Sequence, residues 1–205
     1  MSNQNRKPKV LHVDDDTDFL KLFSLFFKSK MDIESVNRPE RVMEMLCSGD
    51  YDVLVTDYDM PGIDGLELLK RISRDIPGFP VIFYTGQGNE EIAREAFMSG
   101  ASDYFTKDVT GFVHKEKFFN SVIRAVETQR MEKSEQQATR RYHNIFENIR
   151  DVYFETDLSG TILETSPSVM ELMGYSPEEM MGKSFVDFFE DPFSGQRFIS
   201  DVIRR

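Results

Sequence analysis

Short apolar runs alternate with longer amphipathic segments through the first 127 residues of the chain. Five runs have strand character, being short and rich in β-branched and aromatic residues: 9–13, 31–36, 51–56, 80–85 and 102–106. The intervening and following segments have the period of a helix: 17–29, 39–48, 65–75, 90–99 and 116–127. Strands that alternate with helices are joined by right-handed crossovers, which gives a parallel sheet covered on both faces. The pattern therefore predicts a doubly wound α/β fold with five parallel strands.

Polar residues stand at the ends of these predicted strands. They are Asp14, Asp15 and Asp16 after the first strand, Asp57 after the third, Thr85 and Gly86 at the end of the fourth, and Tyr104 to Lys107 at the end of the fifth. Taken singly, such residues have ordinary explanations, because acids before a helix cap its N-terminus and a surface lysine is usually solvated. In a doubly wound sheet, however, ligands bind beyond the carboxyl ends of the strands. The convergence of acids, a hydroxyl and an amine on one edge therefore predicts a functional site there.

The residue types at this edge suit phosphoryl transfer. Clustered carboxylates repel one another and need a cation between them, and a hard divalent ion such as Mg²⁺ prefers such oxygen ligands. A metal ion also shields an incoming phosphoryl group, so that Asp57 can act as a nucleophile and carry the group as an acyl phosphate. Lys107 can offer a positive charge to a phosphate oxygen, and the Thr85 hydroxyl and Gly86 amide can donate hydrogen bonds. This chemistry gives a reason for a strand to end at an acid.

Four segments resemble, in order and in spacing, the receiver domain of two-component response regulators. They are HVDDD, VTDYDMPGIDG, FYTGQG and SDYFTKD, and the resemblance covers residues 9–127. It implies a flavodoxin-like sheet, and it implies that Asp57 accepts a phosphoryl group from a histidine kinase or a phosphotransfer protein. It also implies that the protein is not an enzyme for other substrates and catalyses only its own phosphoryl transfer and slow dephosphorylation.

The same resemblance implies roles for the other residues at the sheet edge. Mg²⁺ is held by Asp14, Asp15, Asp57 and the backbone carbonyl of Asp59. Lys107 and Gly86 contact the phosphate. Thr85 and Tyr104 form a switch pair, in which the threonine turns toward the phosphoryl group and the tyrosine rotates inward. The surface around the fourth helix and fifth strand then changes, and phosphorylation shifts a population that already exists.

One position departs from the receiver pattern. Receivers usually follow the lysine with a proline, often through a cis bond, whereas Asp108 follows Lys107 in this chain. A cis bond without proline costs roughly 2.5 to 4 kcal/mol, so a trans bond is predicted. The loop before the last helix, 108–117, is also longer than is typical. Both features bear on how Lys107 is aimed at the phosphate.

A second catalytic class shares part of this pattern. Two acids separated by one residue, as in Asp57 and Asp59, resemble the haloacid-dehalogenase phosphatases, in which the first acid is the nucleophile and the second the general acid. Those enzymes usually carry the motif on their first strand, whereas here it follows the third and precedes Pro61 and Gly62. The receiver interpretation is therefore favoured, and the phosphatase is the alternative.

Beyond Val126 the chain contains no glycine or proline before Gly160, which favours a continuous helix. We predict a receiver domain at 1–128 and a helical linker at 129–145. The apolar stripe of the preceding helix continues into polar residues, namely Gln129, Lys133 and Gln136. This favours a solvated connecting helix, and a coiled coil that joins a homodimer is the alternative.

Residues 146–205 resemble the N-terminal part of a PAS sensory domain. Two strands are predicted around a turn at 157–160. Short helices follow, with a capping box formed by Ser176 and Glu179 and with Pro177 at the first helical position. The resemblance is carried by MELMGYSPEEMMGKS, and a PAS domain needs more strands after these helices. We therefore expect an incomplete α+β domain, whose ligand is unknown, and a hybrid sensor histidine kinase remains open as the parent of this piece.

Charge and composition exclude several other classes of protein. The net charge is -11 and neither half of the chain is basic, which argues against a nucleic-acid partner. No apolar stretch approaches the roughly 18 residues of a membrane span, and no early apolar run has a cleavage site. A cytoplasmic protein without a membrane partner is expected. The single cysteine, Cys47, excludes a disulfide framework and is expected to pack in the core.

Overall fold

The computed structural model describes residues 6–86, 90–107 and 115–188, together with 191 and 193. The chain divides into two compact units, Met1–Lys133 and Ser134–Arg205. The predicted trans bond after Lys107 and most of the long loop that follows it lie outside the described residues.

The first unit contains a five-stranded parallel sheet, as predicted. Its strands are β1 (Lys9–Val13), β2 (Asp32–Val36), β3 (Val53–Thr56), β4 (Val81–Thr85) and β5 (Asp103–Thr106). The spatial order is β2-β1-β3-β4-β5, so the direction of winding reverses beside β1. Val13 is paired with Thr56 and Thr85 with Thr106, which places the carboxyl ends of these four strands at one edge.

Helices cover both faces of this sheet. They are α1 (Thr17–Phe27), α2 (Val42–Ser48), α3 (Gly65–Asp75), α4 (Glu90–Met98) and α5 (Lys115–Asn148), with a 3₁₀ turn at Pro39–Arg41. Successive residues of a strand point to opposite faces. Leu11 and Leu54 accordingly belong to a core layer shared with α2, α3 and α4. Val10 and Val53 belong to a second layer shared with α1 and α5.

The side chain of Cys47 is exposed, so the prediction that it packs in the core was wrong. The buried residues of α2 are Val42 and Leu46, which lie four positions apart and therefore share one helix face. Cys47 comes one position after Leu46 and is turned by about 100° around the helix axis from it.

Helix α5 continues for 34 residues, well past the apolar repeat that predicts its start. Its buried side chains include Phe118, Val122, Val126 and Gln129. Arg130 Nη2 donates to the buried carboxylate of Asp52, just before β3, at 2.8 Å. The helix is therefore attached to the first unit through residue 130. Within the described part of the chain, neither α5 nor any other helix is apolar enough over a sufficient length to cross a membrane.

The second unit contains the predicted hairpin, formed by the antiparallel strands β6 (Phe154–Thr156) and β7 (Ile162–Thr165). The turn between them is held by Asp157, whose Oδ1 accepts from the amides of Ser159 and Thr161, both at 2.9 Å. Gly160 has a φ of +85°, which few residues other than glycine adopt.

Two short helices and a 3₁₀ turn follow the hairpin: α6 (Ser168–Met173), α7 (Pro177–Met180) and Phe185–Phe188. The predicted capping box of α7 is confirmed, since Ser176 and Glu179 each bond to the backbone of the other. The core of this unit is small, with Ile162, Val169 and Met180 buried together.

Candidate functional site

Strands β1 and β3 bring two of the predicted acids together. Val13 and Thr56 are paired in the sheet, so that Asp14 and Asp57 leave neighbouring strands side by side. The Asp57 amide donates to the Val13 carbonyl at 3.0 Å, which continues the ladder to the end of the strand. Asp14, Asp15 and Asp57 each present a carboxylate oxygen within 4.8 Å of the others. Asp14 and Asp57 are buried, whereas Asp15 is exposed.

Strand β5 delivers Lys107 to the same place. Its Nζ lies 2.6 Å from Asp14 Oδ2 and 2.7 Å from Asp57 Oδ2, and the side chain is 16% exposed. The Lys107 amide donates to the Thr85 carbonyl at 2.6 Å, which fixes the base of the side chain against β4. The structure thus gathers the three acids and the lysine that the strand ends predict.

Backbone amides orient the two buried carboxylates. Asp14 Oδ1 accepts from the Asp16 amide at 3.0 Å, and Asp57 Oδ1 accepts from the Tyr58 amide at 2.6 Å. The Oδ2 atom of each is thereby turned toward Lys107. Asp16, the third acid after β1, caps α1 instead: its Oδ1 accepts hydrogen bonds from the amides of Asp18 and Phe19.

Negative charge exceeds positive charge among the acids and the lysine at this edge of the sheet. Burial raises the pKa of Asp14 to about 6, even though the bond to Lys107 acts in the opposite direction. Burial also acts against the Lys107 ammonium, but its bonds to Asp14 and Asp57 outweigh this and raise the pKa of the lysine. Three carboxylates face one ammonium, which leaves an excess of negative charge. The atoms that these three acids offer as metal ligands are all oxygens. Such a set fits a hard divalent ion such as Mg²⁺.

The segment after β3 depends on two glycines. A Cβ atom on Gly65 would lie 2.2 Å from the Asp57 carbonyl oxygen, and the Gly65 amide donates to the Tyr58 carbonyl at 2.9 Å. Gly62 has a φ of +89°, in the region that favours glycine. Sequence reasoning missed the role of Gly65, although a glycine that opens a helix directly after its capping residue, Asp64, is a signal of close packing.

The remaining predicted residues lie around this centre. Thr85 ends β4 and is buried, and Gly86 follows it and is exposed. The Tyr104 side chain is half-buried, and its ring stacks at 6.1 Å from the ring of Phe83. Asp59 is exposed in the segment between β3 and α3. Thr85 and Gly86 lie at the end of β4, as predicted, whereas Tyr104 is the second residue of β5 and pairs with Phe83. The individual roles of these residues stay predictions.

Two aromatic residues beside Lys107 were not found from the sequence. The ring of Phe19, on α1, has its centroid 4.3 Å from Lys107 Nζ. His12, on β1, is completely buried, and neither ring nitrogen has a hydrogen-bond partner among the described residues. Its ring lies against Phe23 at 4.0 Å, and burial, with the nearby charge of Lys107, lowers its pKa to about 3. No spacing rule connects these residues to the lysine.

Comparison with known proteins identifies both units. The family model of the response regulator receiver domain matches residues 10–114, and the model of the PAS fold matches residues 140–203. Chemotaxis protein CheY-3 of Vibrio cholerae is 32% identical over an alignment of 120 residues, and the match covers 55% of this chain and 90% of CheY-3. The DNA-binding transcriptional regulator NtrC of Escherichia coli is 46% identical over 66 residues, which make up 32% of this chain and 14% of NtrC.

Solved structures agree with the sequence comparison. The receiver domain of the Francisella response regulator 1452 superposes with a TM-score of 0.54 at 27% identity. The match covers 60% of this chain and 98% of that receiver domain.

Proposed function

The chain belongs to the response regulator receiver family, and we propose that it is a phosphorylation switch in two-component signalling with Asp57 as the phosphoacceptor. One observation carries this proposal. Asp57 ends a buried strand with one carboxylate oxygen bonded to Lys107, and Asp14 and Asp15 lie beside it. This is a nucleophile held next to a fixed positive charge and two further acids.

In the proposed reaction the phosphoryl donor is a histidine kinase or a phosphotransfer protein. The phosphorus forms a bond to an Asp57 carboxylate oxygen while its bond to the donor histidine nitrogen breaks, and that nitrogen takes a proton from water. Lys107 moves its hydrogen bond from the carboxylate to a phosphoryl oxygen, to which it donates as a point charge. The Thr85 hydroxyl and the Gly86 amide donate to the other phosphoryl oxygens.

Asp14, Asp15, Asp57 and the backbone carbonyl of Asp59 would hold Mg²⁺. The ion supplies neutralising charge to the phosphoryl oxygens. The contribution of the chain itself is orientation, because the Asp16 and Tyr58 amides fix the carboxylates before any ligand arrives.

The proposed output is a change in the surface near α4 and β5. Thr85 ends β4, and the half-buried Tyr104 lies on the neighbouring strand β5, where its ring stacks on that of Phe83. Phosphorylation at Asp57 then shifts the population of Thr85 and Tyr104 conformations and is read by a linked PAS module. The coupling free energy in such switches is typically about 1 to 3 kcal/mol.

We also propose that the protein acts as a homodimer joined through α5 and without a nucleic-acid partner, in keeping with its net charge of -11. Met131, Ala138 and Ile145 are exposed on this helix and are spaced seven residues apart. Such spacing is the repeat of a coiled coil. Met131 and Ala138 each lie two positions after a residue of the polar series, Gln129 and Gln136 respectively. The exposed apolar stripe is therefore a different series of positions from the polar one.

Intact-mass measurement after incubation with acetyl phosphate and Mg²⁺ tests the function. We expect the gain of one labile phosphoryl group, which requires Mg²⁺ and is absent in Asp57→Asn. The matched control is Asp75→Asn, which changes an exposed acid at the end of α3. No gain from acetyl phosphate or from a kinase would contradict the proposal, and so would steady phosphate release from an added phosphomonoester.

A further inference from the structure

The Lys107 ammonium has a third neighbour besides its two carboxylates. Its Nζ lies 4.3 Å from the centroid of the Phe19 ring, within the range in which the negative ring face attracts a cation. The lysine side chain is only 16% exposed, so the contact is partly shielded from water. Attraction between a cation and a ring is stronger in such a place than on an open surface.

The Phe19 ring is itself held in place from several directions. Its backbone amide donates to the Asp16 cap at 3.1 Å, which fixes the first turn of α1. The ring contacts His12 on β1 at 6.0 Å edge to face, and Tyr84 on β4 at 5.7 Å. A half-buried ring packed against two strands offers Lys107 a fixed surface.

Lys107 needs such a surface for two reasons. A lysine side chain is flexible and loses considerable rotamer freedom when it is ordered, and here Asp108 rather than a proline follows it. In addition, both of its carboxylate partners, Asp14 and Asp57, belong to the acidic group that fits a divalent ion. When these carboxylates hold a cation, the Phe19 ring is a contact of the ammonium that the cation does not use.

We propose that Phe19 is a positioning residue for phosphoryl transfer. Its ring face keeps the Lys107 ammonium beside Asp57 while the lysine exchanges a carboxylate oxygen for a phosphoryl oxygen. The proposal rests on the proposed role of Asp57 as phosphoacceptor. It is distinct from packing alone, because it requires the ring face and not merely an apolar side chain of similar size.

The contact can be tested without any phosphorylation, by NMR of protein labelled with ¹³C-lysine. Ring current should shift the Lys107 Cε-Hε signal upfield of the other lysines, and Lys107→Arg assigns the signal by removing it. Phe19→Leu should return the signal to the ordinary position, whereas Phe19→Tyr should keep the upfield shift. A signal that is unshifted in the wild type, or unchanged in Phe19→Leu, would overturn the proposal.

The consequence is tested by the rate of phosphorylation from acetyl phosphate. Phe19→Leu should lower the rate on the order of threefold to tenfold, the factor that corresponds to one partly shielded contact of this kind. Phe19→Tyr, which keeps a ring, should restore most of the rate. The matched control is Phe119→Leu, which removes another lysine-ring contact, that of Lys30 at 4.7 Å, from a place remote from Asp57. An unchanged rate in Phe19→Leu would overturn the proposal.

A Mg²⁺ titration followed by the backbone amide signals of Asp14 and Asp15 separates positioning from general damage to α1. The Mg²⁺ affinity of Phe19→Leu should stay within about twofold of wild type while its rate falls. An equal loss of affinity and rate would show an effect on the acids and would overturn the proposal. If the wild type gains no phosphoryl group at all, the phosphoacceptor role fails, and the NMR result still decides whether the contact exists.

Discussion

Single residues at the carboxyl edge of the sheet combine burial with charge, and Asp14 does so most severely. It is fully buried, and its pKa is raised from an ordinary value of 3.8 to about 6, mainly by burial. The folded protein therefore binds a proton at Asp14 more tightly than the unfolded chain does. This contribution to stability is complete below about pH 4 and is lost as the pH rises through about 6.

The Asp14→Asn variant should accordingly be more stable than wild type in the absence of divalent cations. At pH 7 we expect its free energy of unfolding to be higher by about 1 to 3 kcal/mol, and the gain should shrink toward pH 4. Urea unfolding at the two pH values measures this. Asp16→Asn, which keeps a side chain able to cap α1, is the control, and a gain for Asp14→Asn that is the same at both pH values would contradict the explanation.

His12 lowers the stability of the fold for a different reason. Both of its buried ring nitrogens lack a hydrogen-bond partner among the described residues. An unsatisfied buried polar group costs about 1 to 3 kcal/mol. We therefore expect His12→Leu, of similar volume, to raise the free energy of unfolding by about 1 kcal/mol, and His12→Ala to lower it by leaving a cavity. Thermal or urea unfolding checks both variants. A His12→Leu variant less stable than wild type would contradict this explanation, because it would mean that the imidazole makes a stabilising hydrogen bond.

The residues found from the sequence and those missed differ in how they are positioned. Asp14, Asp57 and Lys107 follow strands directly, and the ends of parallel strands meet at one edge, so their meeting follows from the alternation of elements. Phe19 reaches the same place through the docking of α1 on the sheet, and the ring of His12, on β1, packs beneath that helix against Phe23. That docking depends on the packing of a whole aromatic layer, which no local spacing records.

At the scale of elements, all five strands lie within two residues of their predicted bounds. Helix α5 runs continuously from Lys115 to Asn148, as the stretch without glycine or proline predicts. Its contact with the sheet beyond Val126 was not predicted, because the apolar repeat stops near that residue. Its attachment to the sheet continues through a polar contact instead. Asp52 accepts from the Lys9 amide at 2.8 Å, from Arg6 Nη2 at 3.1 Å and from Arg130 Nη2 at 2.8 Å. Contacts between residues so far apart in sequence leave no periodic signal.

Loss of the Arg130 contact should loosen α5 at that point. Arg130 is partly exposed, so the expected cost of Arg130→Gln is only about 1 kcal/mol. Its clearer sign should be faster amide hydrogen exchange near residues 127–133, because local opening then costs less. Arg141→Gln, which changes an exposed arginine farther along the same helix, is the control. Unaltered exchange near residue 130 would show that the ion pair does not hold the helix.

At the scale of the whole molecule, the exposed stripe on α5 predicts self-association. Sedimentation equilibrium should show a dimer that Ile145→Glu disrupts, because a charge at a heptad core position is desolvated in the dimer. Gln137→Glu adds the same charge at an exposed position off the stripe and should leave the dimer intact. A wild-type protein that stays monomeric at the highest soluble concentration would contradict self-association through this stripe.

A phosphorylation switch at this site requires that the phosphoryl group be attached to Asp57. We would treat the protein with acetyl phosphate and Mg²⁺, reduce the acyl phosphate with borohydride, and locate the resulting homoserine by peptide mass spectrometry. Homoserine is expected at position 57 alone. Homoserine at position 14, 15 or 59, or an unmodified peptide from a sample whose intact mass has increased, would contradict it.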